Sequence, residues 1–144
     1  MHCQIECIGM SFFVTMAKPI YKASFRMALL AALEGCIEGH ESLRKAGLLH
    51  RDISINNLMI NEDDDNPSWP SFSGARGKTG TGAFMAIRVL LGEPHSFMHD
   101  LESFLWVLFW ICIHYDRRNE ERVVPRFEKW NYVDTEELAE LKKG

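Results

Sequence analysis

The sequence predicts an α+β domain that is mainly helical. Residues 25–43 carry apolar side chains at helical spacing, and residues 104–113 form an almost wholly apolar run. Short stretches typical of strands occur at residues 5–16 and 58–60. Because a helix that is apolar on all sides must be covered by other elements, we expect residues 104–113 to lie in the middle of a single domain.

The composition is that of an ordinary soluble, intracellular protein. The 144 residues are 47% hydrophobic and 25% charged, and the net charge of −4 argues against nucleic acids or anionic membranes as general partners. The cysteines are scattered without a CxxC pair, which is typical of reduced thiols: Cys3, Cys7, Cys36 and Cys112. The run at residues 104–113 is far shorter than the ~20 residues of a membrane-spanning helix. No Lys or Arg precedes the apolar N-terminal stretch, so a signal peptide is not expected.

The first helix carries start and stop signals. Ser24 is a suitable N-cap, and Gly47 is expected to end the helix shortly after residue 43. His40 lies on the apolar stripe, where a hydrogen-bonded core histidine is expected rather than a metal ligand.

A last helix is predicted near the end of the sequence. Asp134 can serve as its N-cap, and Glu137 completes a capping box. Lys142 and Lys143 lie at its C-terminal end, where positive charge is favoured by the helix dipole.

Three other patterns are interpreted as structural. Residues 58–60 and a return strand through Trp69 and Phe72 predict a hairpin, whose acidic tip lacks the spacing of a calcium-binding EF-hand. Residues 73–82 are glycine-rich and basic, but Phe72 stands where a Walker motif needs glycine, so we expect a flexible surface segment. His95 and His99 could share a helical face as zinc ligands, yet no third ligand follows at a recognisable spacing.

The main chemical signal is a polar loop within residues 48–60. His50, Arg51 and Asp52 are followed, five residues after the aspartate, by Asn57. This spacing matches the His-Arg-Asp-x-x-x-x-Asn loop of protein kinases, in which the Asp accepts the proton of the substrate hydroxyl and the Asn binds magnesium. Both side chains must leave one short loop and converge on the same phosphoryl group. We therefore interpret Asp52 as a base and Asn57 as a metal ligand.

Two further segments follow in the order found in kinase C-terminal lobes. Residues 80–86, GTGAFMA, resemble the end of an activation segment, and Asp100 stands at the head of the buried helix. Together with HRDISINN and HDLESFLWVLFWICIHY, they resemble the fungal-type protein kinase family over roughly residues 16–130. The resemblance implies a partial protein-kinase-like fold, a C-terminal lobe with a catalytic-loop hairpin. It divides the chain into a hinge-like segment at residues 1–23, a lobe core at residues 24–130 and a C-terminal helix at residues 131–144.

The resemblance also implies an activity and residue roles. The activity would be transfer of a phosphoryl group from ATP, with Mg²⁺, to a serine or threonine of a protein substrate. Arg51 would bind a phosphate on the activation segment, where Thr79 and Thr81 are the candidate phosphorylation sites. Thr81 would also position the catalytic loop, and Asp100 would hold the backbone of that loop.

Two departures from the family pattern predict that the isolated chain is inactive. Few residues precede the first helix, and Gly9 is the sole glycine among them, so the glycine-rich loop and its strand lysine have no place. Lys18 and Lys22 flank a predicted turn instead. No acidic residue lies between Asp65 and Glu93, so the metal-binding Asp of Asp-Phe-Gly is missing.

A third departure concerns the end of the activation segment. Arg88 occupies the place of the Glu that closes the family motif Met-Ala-Pro-Glu. If the site is buried, an ion pair of the family becomes a repulsion that costs about 3–5 kcal/mol.

Two other classes of function stay open. One is a non-catalytic, pseudokinase-like interaction module that binds a partner protein through the surface of the lobe. The other is a small-molecule phosphotransferase, which is disfavoured by the GTGAFMA segment because kinases use that segment for protein substrates. A long exposed apolar surface without a partner would instead favour a decayed gene copy.

Overall fold

The computed structural model describes residues 18–60, 81–116 and 120–144. Its strands and helices, in chain order, are β1 (Lys18–Pro19), α1 (Arg26–Lys45), β2 (Met59–Ile60), α2 (Ile87–Leu90), α3 (Phe97–His114), α4 (Pro125–Glu128) and α5 (Thr135–Lys143). Three 3-10 turns accompany them, at Ile20–Lys22, Thr81–Phe84 and Lys129–Asn131. The expectation of a mainly helical domain is confirmed.

Helix α1 begins one residue later than its sequence signal suggested. Phe25, whose backbone is extended, is the N-cap, so the prediction of Ser24 as N-cap is wrong. The hydroxyl of Ser24 instead accepts a hydrogen bond from Nζ of Lys18 at 3.1 Å.

The end of α1 is formed as predicted by Gly47. Its φ of 75° is the left-handed conformation that glycine adopts without strain. The Gly47 N–H donates to the Arg44 carbonyl, and the Leu48 N–H donates to the Leu43 carbonyl, which together form a Schellman motif. The chain therefore turns sharply away from α1 and enters the polar loop.

Helix α3 supplies much of the core and packs against α1. Phe104, Val107, Trp110 and Ile111 are buried in it, as expected for the apolar run. On α1, Cys36 and His40 are fully buried, so the prediction of a core histidine is confirmed. The two long helices thus form the frame on which the loop at residues 48–57 rests.

The described part of the chain contains a small two-stranded sheet. Strand β2 pairs antiparallel with β1, with Lys18 opposite Ile60 and Pro19 opposite Met59. The placement of Lys18 beside a turn is therefore wrong, because this residue lies in a strand. The predicted strand at residues 5–16 and the return strand through Trp69 and Phe72 lie outside the described residues.

The C-terminal elements pack on the other side of α3. Rings of α3, α4 and the following turn form one aromatic cluster: Trp106, Phe109, Phe127 and Trp130. Asp134 caps α5 as predicted, since its Oδ1 accepts the Glu137 N–H at 2.9 Å. Lys142 and Lys143 both lie in the last turn of α5, as predicted. Lys143 is exposed, whereas Lys142 is buried beside Trp106 of α3.

Across the described parts of the chain, no helix combines the length and the apolar character needed to cross a membrane.

Candidate active site

The loop between α1 and β2 carries the predicted catalytic residues. Its apolar members, Ile53 and Ile55, are 3% exposed and anchor it in the core. Arg51 and Asp52 are exposed. The buried isoleucines therefore fix the loop, while Arg51 and Asp52 face solvent.

Asp52 and Asn57 contact each other directly. Nδ2 of Asn57 donates to the main-chain oxygen of Asp52 at 2.8 Å and to its carboxylate Oδ2 at 2.9 Å. Because both bonds use the amide nitrogen, Oδ1 of Asn57 is the atom of this side chain with the chemistry of a magnesium ligand. The structure thus brings the predicted base and the predicted metal ligand together.

Beneath this loop lies the carboxylate of Asp100, which is fully buried. Oδ2 accepts the His50 N–H at 2.9 Å and lies 2.8 Å from Nε2 of His40. Oδ1 accepts the Arg51 N–H at 3.1 Å and lies 2.6 Å from Nε2 of His95. Four donors from three parts of the chain therefore converge on one carboxylate.

These partners keep Asp100 charged. Burial opposes its ionisation, but the hydrogen bonds from His40, His95 and the His50 amide outweigh burial, so the pKa of Asp100 lies below its ordinary 3.8. A carboxylate only accepts, so both histidine rings donate through Nε2–H.

The ring of His50 is neutral because the effect of burial on its pKa exceeds that of the nearby carboxylates. Burial lowers the pKa of its ring below the ordinary 6.5, although the nearby Asp100 and Asp52 charges raise it. The Asp52 N–H donates to Nδ1 of His50 at 3.3 Å, which requires a lone pair on that nitrogen.

Arg51 adopts a left-handed backbone, with φ of 65°. For a residue with a side chain, this conformation costs roughly 1–2 kcal/mol. The amides of His50 and Arg51 both point at Asp100, and their hydrogen bonds to its carboxylate offset that cost.

The candidate phosphorylation sites are only partly covered by the structure. Thr79 lies outside the described residues, and Thr81 begins the 3-10 turn Thr81–Phe84. The predicted phosphate contact between Arg51 and these threonines stays a prediction.

His95 and His99 have separate partners. His95 faces Asp100, whereas Nδ1 of His99 accepts the backbone N–H of Ser96 at 3.1 Å. Within residues 18–60, 81–116 and 120–144, no three side chains of His, Cys, Asp or Glu are grouped to hold a metal ion. Sequence reasoning considered His95 only as a metal ligand and missed its contact with Asp100.

The predicted repulsion at Arg88 is wrong. Arg88 is exposed, and its Nη1 lies 3.0 Å from Oε1 of Glu93, with which it forms a surface ion pair. The acidic partner of this segment is Glu102 of α3, whose Oε1 accepts the Ile87 N–H and the Trp106 Nε1–H, each at 2.9 Å. Glu102 stands two residues after Asp100 and just before the apolar run, and the sequence pattern did not single it out for this role.

The family comparison agrees with this geometry. Residues 7–112 match the family described as fungal protein kinase. The match covers well over half of the 144 residues, and the chain belongs to the fungal protein kinase family. No curated protein and no solved structure matches the chain significantly.

Proposed function

We propose that the chain is a partial protein kinase domain whose site serves phosphoryl transfer from ATP to a serine or threonine of a protein. Residues 1–23 would form a hinge-like segment, residues 24–130 the core of the C-terminal lobe and residues 131–144 its last helix. The observation that carries the proposal is the pair of hydrogen bonds from Asn57 to Asp52, in a loop held by Asp100. Membership of the fungal protein kinase family supports it.

In this proposal, Asp52, Asn57 and Asp100 have different roles. Asp52 is exposed, so its carboxylate can approach an acceptor hydroxyl and take its proton as the phosphoryl group is transferred. Asn57 orients that carboxylate by donating to Oδ2. Asp100 fixes the backbone of His50 and Arg51 and so sets the direction in which Asp52 leaves the loop.

The magnesium ion of this reaction fits the chain's own residues poorly. Asn57 offers one neutral oxygen, whereas magnesium in phosphoryl-transfer sites is usually bound by one or two carboxylates together with phosphates. The sequence has no acidic residue between Asp65 and Glu93 that could supply the second ligand of the family motif. We therefore propose that the chain on its own neither holds magnesium-ATP nor transfers phosphate.

The test uses the purified chain with magnesium-ATP and a serine- and threonine-containing protein acceptor. Phosphate transfer is measured directly and nucleotide binding by calorimetry, for the parent, Asp52→Asn and the control Glu136→Gln on the exposed face of α5. We expect neither transfer nor binding. Transfer by the parent that is lost only in Asp52→Asn would contradict the proposed inactivity and establish Asp52 as the base.

A partner chain could supply the missing parts. The same assay is repeated after addition of the N-terminal lobe of an intact kinase of the family. Transfer that appears only then, and that needs Asp52, would show that the site is competent and that nucleotide binding is completed in trans.

A second candidate, a non-catalytic interaction module, is favoured by one observation. Large apolar side chains of α1 and α3 and of the residue before α1 are exposed: Phe25 by 63%, Met27 by 69%, Leu30 by 49% and Leu105 by 59%. Two of them, Phe25 and Leu30, line a groove together with Tyr21, Leu29 and Ile111. Apolar patches of this kind often mark protein-binding surfaces.

The two candidates respond differently to substitution. An interaction module would lose binding to an intact kinase of the family in Leu30→Glu and retain it in Asp52→Asn, as measured by calorimetry. Equal binding by Leu30→Glu and the parent would show that the groove beside Leu30 is not the binding site for the kinase.

A further inference from the structure

Lys142 occupies an unusual environment for a lysine. It is 8% exposed, and its Nζ donates to the main-chain oxygen of Met85 at 2.6 Å. The same Nζ lies over two indole rings, 4.5 Å from the centroid of Trp106 and 5.5 Å from that of Trp130. Lysine is rarely buried, because its charged form loses hydration.

The contact with Met85 gives a physical reason for a lysine at this position. An aliphatic side chain would pack between the two indoles without the cost of burying an amine. It would not satisfy the Met85 carbonyl. Both the ammonium and the neutral amine carry an N–H for this hydrogen bond, and the ammonium gains further from the faces of Trp106 and Trp130.

A second side chain binds the backbone of the same segment. Two residues after Met85, the Ile87 N–H donates to Glu102 of α3. Ala86, between these two contacts, is fully buried. The backbone at residues 85–87 is therefore attached to α5 through Lys142 and to α3 through Glu102.

The rest of α5 packs on this segment closely. The helix contacts α2 and the 3-10 turn Thr81–Phe84, and its Leu138 and Ala139 are buried. The side chain of Leu138 reaches this turn, since a Cβ built on Gly82 would lie 3.4 Å from its Cδ2.

We propose that Lys142 is a positioning residue, which fixes residues 82–87 in place by binding the Met85 carbonyl from α5. The functional part rests on the proposed function: these residues belong to the segment that resembles the one serving protein substrates. Release of α5 would then change how an acceptor chain meets Asp52.

The test is residue-resolved amide hydrogen exchange of the full chain. Lys142→Met keeps an unbranched apolar side chain between the indoles and removes the amine. Lys143→Met is the matched control, because Lys143 is the neighbouring residue and is exposed. Its Nζ forms a surface ion pair with Glu140. We expect exchange at residues 83–87 to become at least about tenfold faster in Lys142→Met, with α1 unchanged and with parent rates in Lys143→Met. Parent rates at residues 83–87 in Lys142→Met would overturn the proposal.

A second measurement covers the case in which Lys142→Met does not fold. In the ¹⁵N-labelled parent, an Nζ bound to Met85 and stacked on indoles should show a shifted resonance and slow proton exchange. The spectrum of a solvated lysine at this position would overturn the proposal.

Binding of a degenerate serine- and threonine-centred peptide pool separates the inference from the proposed function. We expect binding to the parent and to Lys143→Met, and about tenfold weaker binding to Lys142→Met. Equal binding by all three would overturn the functional part. In a further outcome, amide exchange at residues 83–87 becomes faster in Lys142→Met but the parent does not bind the peptide pool. This result would count against the proposed function and would still establish that Lys142 holds residues 82–87 in place.

Discussion

Nε2 of His95 lies 2.6 Å from Oδ1 of Asp100, the oxygen that also accepts the amide of Arg51. His95 comes from the stretch before α3, while His40 reaches the other carboxylate oxygen from α1. Asp100, itself in α3, therefore joins both long helices to the loop at residues 48–57.

Replacement of Asp100 by alanine should destabilise the protein strongly. The amides of His50 and Arg51 would lose their acceptor, at about 1–3 kcal/mol for each donor that stays buried and unpaired. We expect the midpoint of thermal unfolding to fall by several degrees, roughly 2–4 °C for each kcal/mol in a chain of this size. The exposed Glu136→Ala is the control, and a midpoint for Asp100→Ala equal to that of the parent would contradict the role of Asp100 as an anchor.

Asn57→Asp should introduce a pH-dependent loss of stability. The new carboxylate would stand where the Asn57 amide now donates to Oδ2 of Asp52 at 2.9 Å, so two like charges replace a hydrogen bond. One carboxyl pKa must rise, and stability lost at pH 7 should return as the pH falls and that group is protonated. We expect a loss of about 1–2 kcal/mol at pH 7 by chemical denaturation. Asn57→Ala is the control, and a loss in Asn57→Asp that does not change with pH would count against the contact with Asp52.

The stability of the parent should rise with pH through the titration of Lys142. Burial lowers the pKa of Lys142 to about 7, although the Glu102 charge raises it. Between pH 7 and the ordinary 10.5, the unfolded chain therefore binds more protons at this residue than the folded chain does. This titration should increase the free energy of unfolding by about 1 kcal/mol per pH unit in this window. Well below pH 7 the increase should stop, because Lys142 is then protonated in both the folded and the unfolded chain.

Lys142→Met isolates this contribution, because the other titrating groups are shared with the parent. Urea denaturation from pH 7.5 to 9.5 should give a more positive pH slope for the parent than for the variant, and the difference is the contribution of Lys142. Parallel pH profiles would show that Lys142 titrates like a solvated lysine.

Gly47 should tolerate asparagine better than alanine. Among the residues that the structure describes, none has an atom within 4 Å of a Cβ built on Gly47, so the constraint they leave on substitution is its φ of 75°. Alanine in this conformation should cost about 1 kcal/mol, and asparagine less, because its short polar side chain is compatible with it. Urea denaturation of the two variants measures the difference, and equal stabilities would contradict the C-cap role.

The long helices and their ends could be predicted because their signals are local. Apolar spacing defined α1 and α3, Gly47 marked the end of α1 and Asp134 the start of α5. The spacing of Asp52 and Asn57 likewise lies within one loop. Such patterns depend on residues a few positions apart, which the sequence displays directly.

The partners that the sequence did not predict come from distant parts of the chain. Lys18 was assigned to a turn because its strand partner, Ile60, is 42 positions away. Lys142 lies at the end of α5 as predicted, but its burial depends on Trp106, Trp130 and the Met85 carbonyl, which the local pattern does not show. A local pattern cannot show which surface a helix end will meet.

Arg51 is predicted to bind phosphate through its side chain, and its backbone also shapes the loop. Left-handed at φ of 65°, it bends the loop so that two successive amides face the same carboxylate. The bend of the loop is therefore held by contacts within the chain itself. A nucleotide or acceptor that requires this shape loses little conformational entropy in the loop on binding, so more of its contact energy appears as affinity.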